Sequence, residues 1–382
     1  MREVVIVEAV RTPVGKRKGL LSNERPDELA AKTLKELVKR AGISPELVED
    51  VILGCVAQVE EQGVNIARTA ALMAGFPIEV PGTTIDRQCG SGQQAVHFAS
   101  QAILSGDMDI VIAGGVESMT RVPMGSTRKN SSWSEVLTSR YEMIHQGLSA
   151  ERIAEKWELT RQELDEFSLE SHRRAIKAQE EGRFDREIMP LEVTLEDGTK
   201  TVVTQDEGPR RGTSLEKLAT LKPAFTEDGK IHAGNASQMS DGAAAILLMS
   251  REKAEELGLK PRFRVVARTV VGSDPTLMLT GPIEATKRVL KRAGLTISDM
   301  DTYEVNEAFA PVPMVWQREL EADLEKLNPN GGAIALGHPL GASGARVMIT
   351  MMSELERSGG RYGLQAICEG GGMANATIIE RI

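Results

Sequence analysis

Two stretches near opposite ends of the sequence follow one order of residues. The first runs Ser91-Gly92, an apolar helix-like segment, Ser105-Gly106, a strand-like run ending in Gly114-Gly115, then Met119. The second runs Ser343-Gly344, an apolar helix-like segment, Ser358-Gly359, a strand-like run ending in Gly370-Gly371-Gly372, then Met373. The spacing drifts by a few residues, but the order holds, and it suggests two copies of one βαβ unit. Apolar strands alternating with helices then indicate a mostly parallel α/β sheet. Helices are expected from Asp27 to Ala41, with leucines at 29, 34 and 37, and from Pro282 to Ala293, closed by Gly42 and Gly294 respectively.

At 382 residues the chain exceeds what one hydrophobic core usually holds. Between the repeated stretches, from Ser118 to Ser240, it turns polar and charged, with helical patches at Glu151 to Trp157 and Arg161 to Glu181. The expected division is an N-terminal half of residues 1–117 with 241–268, an inserted loop domain of 118–240, and a C-terminal half of 269–382. A net charge of -9 gives no general attraction to nucleic acid or to an anionic membrane surface. No stretch supplies the roughly 20 uninterrupted apolar residues of a membrane span. The N-terminus enters a strand-like run at Val4, leaving no room for a cleaved leader, so a cytoplasmic location is expected. Three widely spaced cysteines, Cys55, Cys89 and Cys368, suggest neither a disulfide framework nor a metal site, and leave thiolate chemistry open.

Four segments bring chemistry-bearing residues to the ends of such elements. Cys89, in Asp86-Arg87-Gln88-Cys89-Gly90-Ser91-Gly92, precedes a helix whose N-terminal dipole favours a thiolate and lowers its pKa. Taken alone it is equally a small buried cysteine in a turn. His338 stands between Gly337 and Pro339 ahead of the second repeated helix, a poised and accessible setting for an imidazole. Cys368-Glu369-Gly370-Gly371-Gly372 places a cysteine at a strand end against N–H groups able to stabilise an oxyanion, or simply a turn. In Tyr303-Glu304-Val305-Asn306-Glu307-Ala308-Phe309, Asn306 and Glu307 interrupt an apolar run where ligands sit in open α/β sheets, with helix capping by Asn306 as the alternative. Cys55, within an apolar strand, reads as core.

Together and in this order, these segments resemble the thiolase family, which carries a reactive cysteine ahead of a helix, an Asn-Glu-Ala-Phe segment, a Gly-His-Pro segment and a Cys-x-Gly-Gly-Gly segment. The likeness spans essentially the whole chain from Arg11-Thr12-Pro13 onward. It implies a five-layered α-β-α-β-α fold of two related βαβαβαββ halves, with the polar insert covering the active site. It also implies roles: Cys89 as the acylated nucleophile, His338 as its activator, and Cys368 as the group exchanging a proton with the acetyl α-carbon. Asn306 would hold a water that binds the thioester oxygen together with His338, and the N–H groups of Cys89 and Gly370 would form a second oxyanion hole. By shorter motifs, Ser237, Arg210 and His145 resemble coenzyme A contacts, and Met278 and Phe309 resemble acyl-pocket residues or plain core.

The activity implied is acyl transfer to coenzyme A by cleavage of 3-ketoacyl-CoA and the reverse Claisen condensation, through an acyl-cysteine. Coenzyme A serves as substrate, with no tightly bound cofactor and no metal, in a homodimer or homotetramer. Cys368 argues against a condensing enzyme of the ketoacyl synthase type, and the intact set argues against a non-catalytic acyl-CoA-binding or lipid-binding protein. Three departures from the family pattern stand out. Asp86 replaces a frequent asparagine and, if buried, calls for a partner such as Arg87. Ala374 replaces a common glycine, and Gln238-Met239-Ser240 is expected to reshape the acyl pocket.

Overall fold

The computed structural model describes residues 2–382. Its first half contains strands β1 (Val4–Arg11), β2 (Asp50–Gly54), β3 (Gly82–Ile85), β4 (Ile110–Ser118) and β5 (Ser240–Ser250), with helices α1 (Pro26–Ala41), α2 (Ile66–Met73) and α3 (Ser91–Ser105). The insert contributes α4 (Gln146–Lys156) and α5 (Arg161–Glu180). The second half contains β6 (Phe263–Gly272), α6 (Gly281–Ala293), β7 (Thr302–Val305), α7 (Pro311–Leu320), α8 (Leu340–Ser358), β8 (Tyr362–Glu369) and β9 (Met373–Arg381). The helices expected from the repeat (α3 and α8) and from glycine punctuation (α1 and α6) are all present. In α1, Pro26 opens the helix, Asp27 and Glu28 occupy the first turn, Lys39 and Arg40 the last, and Gly42 closes it at φ 68°.

The strands run in the order β7-β8-β9-β6-β1-β5-β4-β2-β3. The two halves join where β1 pairs with β6 over only Val5↔Arg264 and Ile6↔Phe263. The first half is a complete βαβαβαββ unit. In the second, the strand corresponding to β3 shrinks to one parallel bridge, Tyr303↔Leu327. The sheet is not mostly parallel: only β2·β3, β2·β4 and β7·β8 are parallel among these strands. Each half ends in a return strand, β5 or β9, that pairs antiparallel on both sides. β6 is continuous and pairs with β9 from Phe263 to Gly272, so the expected division at 268/269 falls inside a strand. β4 ends at Ser118 and β5 starts at Ser240, where the insert was expected to begin and end.

Three apolar clusters separate the layers. Leu29, Leu34, Leu37, Val51 and Leu247 pack α1 and α2 on one outer face. Ala95, Val96, Ala99, Met348, Ile349, Ile246 and Leu248 fill the middle around α3 and α8. Val289, Tyr303, Trp316, Leu364 and Ile378 pack α6 and α7 on the other outer face. Consecutive residues of β5 thus enter different clusters, which explains its unbroken apolar sequence.

The repeated Ser-Gly pairs lie at corresponding places in the two central helices. A Cβ on Gly92 would lie 2.8 Å from the Gly341 carbonyl oxygen, and one on Gly344 would overlap the Gln93 backbone nitrogen. The N-terminal turns of α3 and α8 therefore touch backbone to backbone. The insert is pinned to β1 by fully buried Arg11, which reaches Glu187 (2.7 Å) and both oxygens of Asp206 (2.7 and 2.9 Å). Thr350 of α8 donates to the same Glu187 carboxylate.

Gly344→Ala is expected to lower unfolding free energy by about 2–3 kcal/mol, because the Gln93 backbone has little room to move. Gly272→Ala, whose added methyl meets nothing within 4 Å, should stay within about 0.5 kcal/mol of the parent in the same denaturant melt.

Candidate active site

Cys89 occupies a tight turn between β3 and α3. Gln88 adopts a left-handed φ of 47°, unusual for a residue with a side chain. The turn is held by Asp86, which accepts the Gln88 N–H (2.7 Å), and by Ser91, whose hydroxyl accepts from Arg87 N–H (2.8 Å) and donates to the Gln88 carbonyl (2.6 Å). Asp86 is exposed and serves this turn, so it needs no buried partnership with Arg87.

The Cys89 sulfur faces the N–H groups of its own residue and of Gly370. Despite its place at a helix N-terminus, the thiol is not acidic. Cys89 is 5% exposed, and burial, with the nearby Glu369 carboxylate, pushes its pKa up to about 12. Desolvation therefore outweighs the dipole and the two N–H groups.

His338 begins the second central helix. Its backbone N–H is held by the Gln238 carbonyl (3.1 Å) and the Ser240 hydroxyl (3.2 Å), so these two residues brace the histidine backbone. Gln238 also donates to the carbonyls of Gly208, Ile334 and Ala335. Nδ1 lies 2.6 Å from Ser343 Oγ, which donates to the Pro339 carbonyl at 2.9 Å. One hydroxyl proton cannot serve both, so this network assigns the ring proton to Nδ1 and leaves the Nε2 lone pair facing Asn306 Nδ2 at 3.3 Å. Burial, helped by the Arg346 guanidinium, lowers the His338 pKa to about 3. The imidazole is 3% exposed and neutral, with its basic nitrogen directed into the site.

Cys368, fully buried on β8, has its thiol pushed well above the usual range by burial, with smaller contributions from Cys89 and Glu369 and an opposing hydrogen bond from Asn306. Asn306 does not cap a helix: α7 is capped by Ala310. It is held by its N–H to the Ala366 carbonyl (3.0 Å), and its buried Oδ1 has no protein partner among the described residues. Glu307 points away from the sulfurs, accepting from Ser171 (2.7 Å), Asn328 (2.9 Å) and the Ile334 N–H (3.1 Å). An open groove behind it, lined by Phe167, Arg174, Met314 and Arg318, does not reach Cys89, His338 or Cys368.

Met278 and Phe309 share one apolar cluster with Cys368 and with Ala150, Ile153 and Ala154 of α4. His145 caps α4 and stacks on Phe225 at 5.2 Å, which in turn meets Phe309 edge-on at 6.0 Å. Residues of α4 and Phe225 thus pack against the Cys368 side of the site. Ser237 is tied to the same segment by its N–H to the Ala308 carbonyl (2.9 Å). Arg210 is exposed on a separate loop, where its N–H donates to His172, and it has no contact with the buried groups. Ala374 pairs with Cys368 across the β8–β9 ladder. Sequence reasoning assigned no role to Ser343 or Arg346; the repeat marked Ser343, and no local pattern marks Arg346. Among the described residues no His, Cys, Asp or Glu groups converge as metal ligands, and no helix is long and apolar enough to cross a membrane.

The arrangement suits covalent acyl transfer: a thiol and a second sulfur, an imidazole lone pair and convergent N–H donors in a water-poor pocket. Comparisons with known proteins agree. The family model for the thiolase N-terminal domain matches residues 4–252 and that for the C-terminal domain residues 259–381. A steroid 3-ketoacyl-CoA thiolase of Mycobacterium tuberculosis is 50% identical over 100% of this chain and 95% of its own length. A 3-ketoacyl-CoA thiolase of Bacillus subtilis is 44% identical over the whole of both chains. The crystal structure of an acetyl-CoA acetyltransferase of Bacillus anthracis superposes with a TM-score of 0.92 at 43% identity, covering 100% of this chain and 99% of the other. The chain belongs to the thiolase family, and it is an acyltransferase.

The buried His338 makes a pH prediction. Its pKa falls from 6.5 to about 3 on folding, so below pH 6.5 the unfolded chain takes up a proton that the folded chain refuses. Stability from this group is complete above pH 6.5 and is lost as pH falls toward 3. Between pH 6.5 and 4, the His338→Asn variant should lose less unfolding free energy than the parent, by about 3 kcal/mol in denaturant titrations.

Proposed function

We propose that the protein cleaves 3-ketoacyl-CoA thioesters with coenzyme A and runs the reverse Claisen condensation, by a ping-pong route through acyl-Cys89. The observation that carries this reading is the convergence of two sulfurs, the His338 lone pair and the Asn306 amide where α3 and α8 meet.

In the cleavage direction Cys89 transfers its proton to His338 Nε2 as its sulfur attacks the 3-keto carbon. Both groups start neutral, so the charge arises only as the bond forms. The resulting oxyanion sits against the N–H groups of Cys89 and Gly370. Breaking the Cα–Cβ bond expels the acetyl-CoA enolate, whose oxygen is met by protonated Nε2 of His338 and a water held by Asn306, and whose carbon takes the Cys368 proton. A second coenzyme A thiol then gives its proton to the Cys368 thiolate and takes the acyl group, and the departing Cys89 sulfur recovers its proton from His338. Atoms and charge balance without a redox partner.

Met278 and Phe309 line the acyl side, while Ser237, His145 and Arg210 serve the coenzyme A side, with the insert of residues 118–240 as the cover. Chain length is left open by the relatives, whose names include steroid 3-ketoacyl-CoA and β-ketoadipyl-CoA thiolases. A homodimer or homotetramer fits the free edge of β3, which pairs only with β2 and lies near exposed Val64, Leu72, Met73 and Ile78. Three free, buried cysteines suit a reducing cytoplasm.

The test is coenzyme A-dependent cleavage of a graded series of 3-ketoacyl-CoAs. Cys89→Ala is expected to lose activity by about 10⁴-fold or more in both directions, and Cys368→Ala by about 10²-fold or more. Turnover surviving in Cys89→Ala, or coenzyme A binding with no turnover of any chain length by the parent, would contradict the reading.

A further inference from the structure

Glu369 is the residue between Cys368 and Gly370, and neither the proposed chemistry nor the packing of an apolar strand accounts for an acid there. It is 0% exposed. Strand alternation turns its side chain to the face opposite Cys368, toward the start of α3. There it is wedged against the residue after the nucleophile: a Cβ on Gly90 would overlap Glu369 Oε1. In the amide orientation that satisfies both its ends, Asn375 donates to Glu369 Oε1 (3.3 Å) and accepts from Gln94 N–H (3.3 Å). Among the described residues, Glu369 Oε2 has no partner and no cation lies within ion-pair distance of the carboxyl group.

We propose that Glu369 is a positioning residue of the nucleophile turn whose carboxyl group must be uncharged for Cys89 to form a thiolate, so that its ionisation sets the alkaline limit of acylation. The inference rests on Cys89 being the nucleophile. The charged groups facing Glu369 are Arg87 and Asp86 on the turn and the two thiols, Cys89 and Cys368. Glu369 ends β8, and the neighbouring β9 places the uncharged Met373 opposite it in the ladder and Asn375 against its carboxyl group. Burial raises the carboxyl pKa to about 8, Arg87 opposing and Asp86 assisting. At neutral pH the group is therefore a wedge without charge that holds Gly90 and the turn. Above that range it becomes an anion beside the sulfur, where it opposes a second negative charge. A glutamine keeps the wedge and removes the ionisation.

The experiment follows alkylation of Cys89 by iodoacetamide from pH 6.5 to 9.5, with the modified peptide identified by mass spectrometry so that Cys55 and Cys368 are excluded. It needs no turnover and stands apart from the test of the thiolase reaction. In the parent, the rate should rise less steeply above pH 8 than for a single thiol ionisation. Glu369→Gln should match the parent at pH 6.5 and react about tenfold faster at pH 9.5, whereas Glu369→Asp should keep the alkaline limit. A change of equal size at every pH would mean a merely structural role and overturn the inference. So would a parent profile that follows one ionisation throughout, a measurement that stands even if the variants fail to fold.

Discussion

Helices can bring their N-termini into direct contact only where backbone meets backbone, and the glycines at the start of α3 and α8 allow that approach. Gly92 lies against the Gly341 carbonyl and Gly344 against the Gln93 nitrogen. The remainder of the site follows from this junction. Cys89 precedes one helix and His338 precedes the other, so abutting the helices brings the proposed nucleophile and the proposed base from remote parts of the chain together. The strand ends carrying Cys368 and Asn306 approach from the second half. The insert, pinned by Arg11 to Glu187 and Asp206, closes over the same region. Side chains at the two glycines would part the helices and move every reacting group.

The chemistry depends on a second balance, between burial and charge. Two helix N-termini favour negative charge near Cys89. Burial nonetheless dominates in the resting site, keeping Cys89 a thiol and His338 an uncharged imidazole. A pre-formed ion pair would be costly to hold in so dry a pocket. Neutral partners with N–H donors already aimed at the sulfur store no such cost, and the donors meet negative charge when it appears on the substrate oxygen. The same logic extends to Glu369, an acid tolerated behind the nucleophile in its uncharged form.

Much of this was legible in the sequence because it is encoded locally. The repeated Ser-Gly pairs announced two related halves, and the polar stretch between Ser118 and Ser240 carried helical patches close to which α4 and α5 lie. The four motifs sit at element ends, where the chain must turn, so their residues converge without long-range information. What was not legible depends on partners distant in sequence. The antiparallel return of β5 could not be read because its neighbours β1 and β4 precede it by an entire inserted domain. The division at 268/269 missed the continuity of β6, whose register is set by β9. Whether Asp86 needs a buried partner depends on its exposure in the assembled fold, where it faces solvent and accepts the Gln88 N–H of the turn. The hold of Gln238 and Ser240 on the His338 backbone is a contact that exists only after the halves are assembled. The acidity expected of Cys89 from its helix failed for the same reason, since burial is a property of the whole fold.

The central claim is that this junction makes Cys89 the residue that carries the acyl group. Its most direct test is mass spectrometry of the protein quenched in acid after mixing with acetoacetyl-CoA in the absence of free coenzyme A, followed by digestion and mapping of the acylated peptide. The account predicts one acetyl group, on the peptide containing Cys89, released on adding coenzyme A. Acetylation of Cys368 or Cys55 instead, or no adduct while cleavage proceeds, would contradict it.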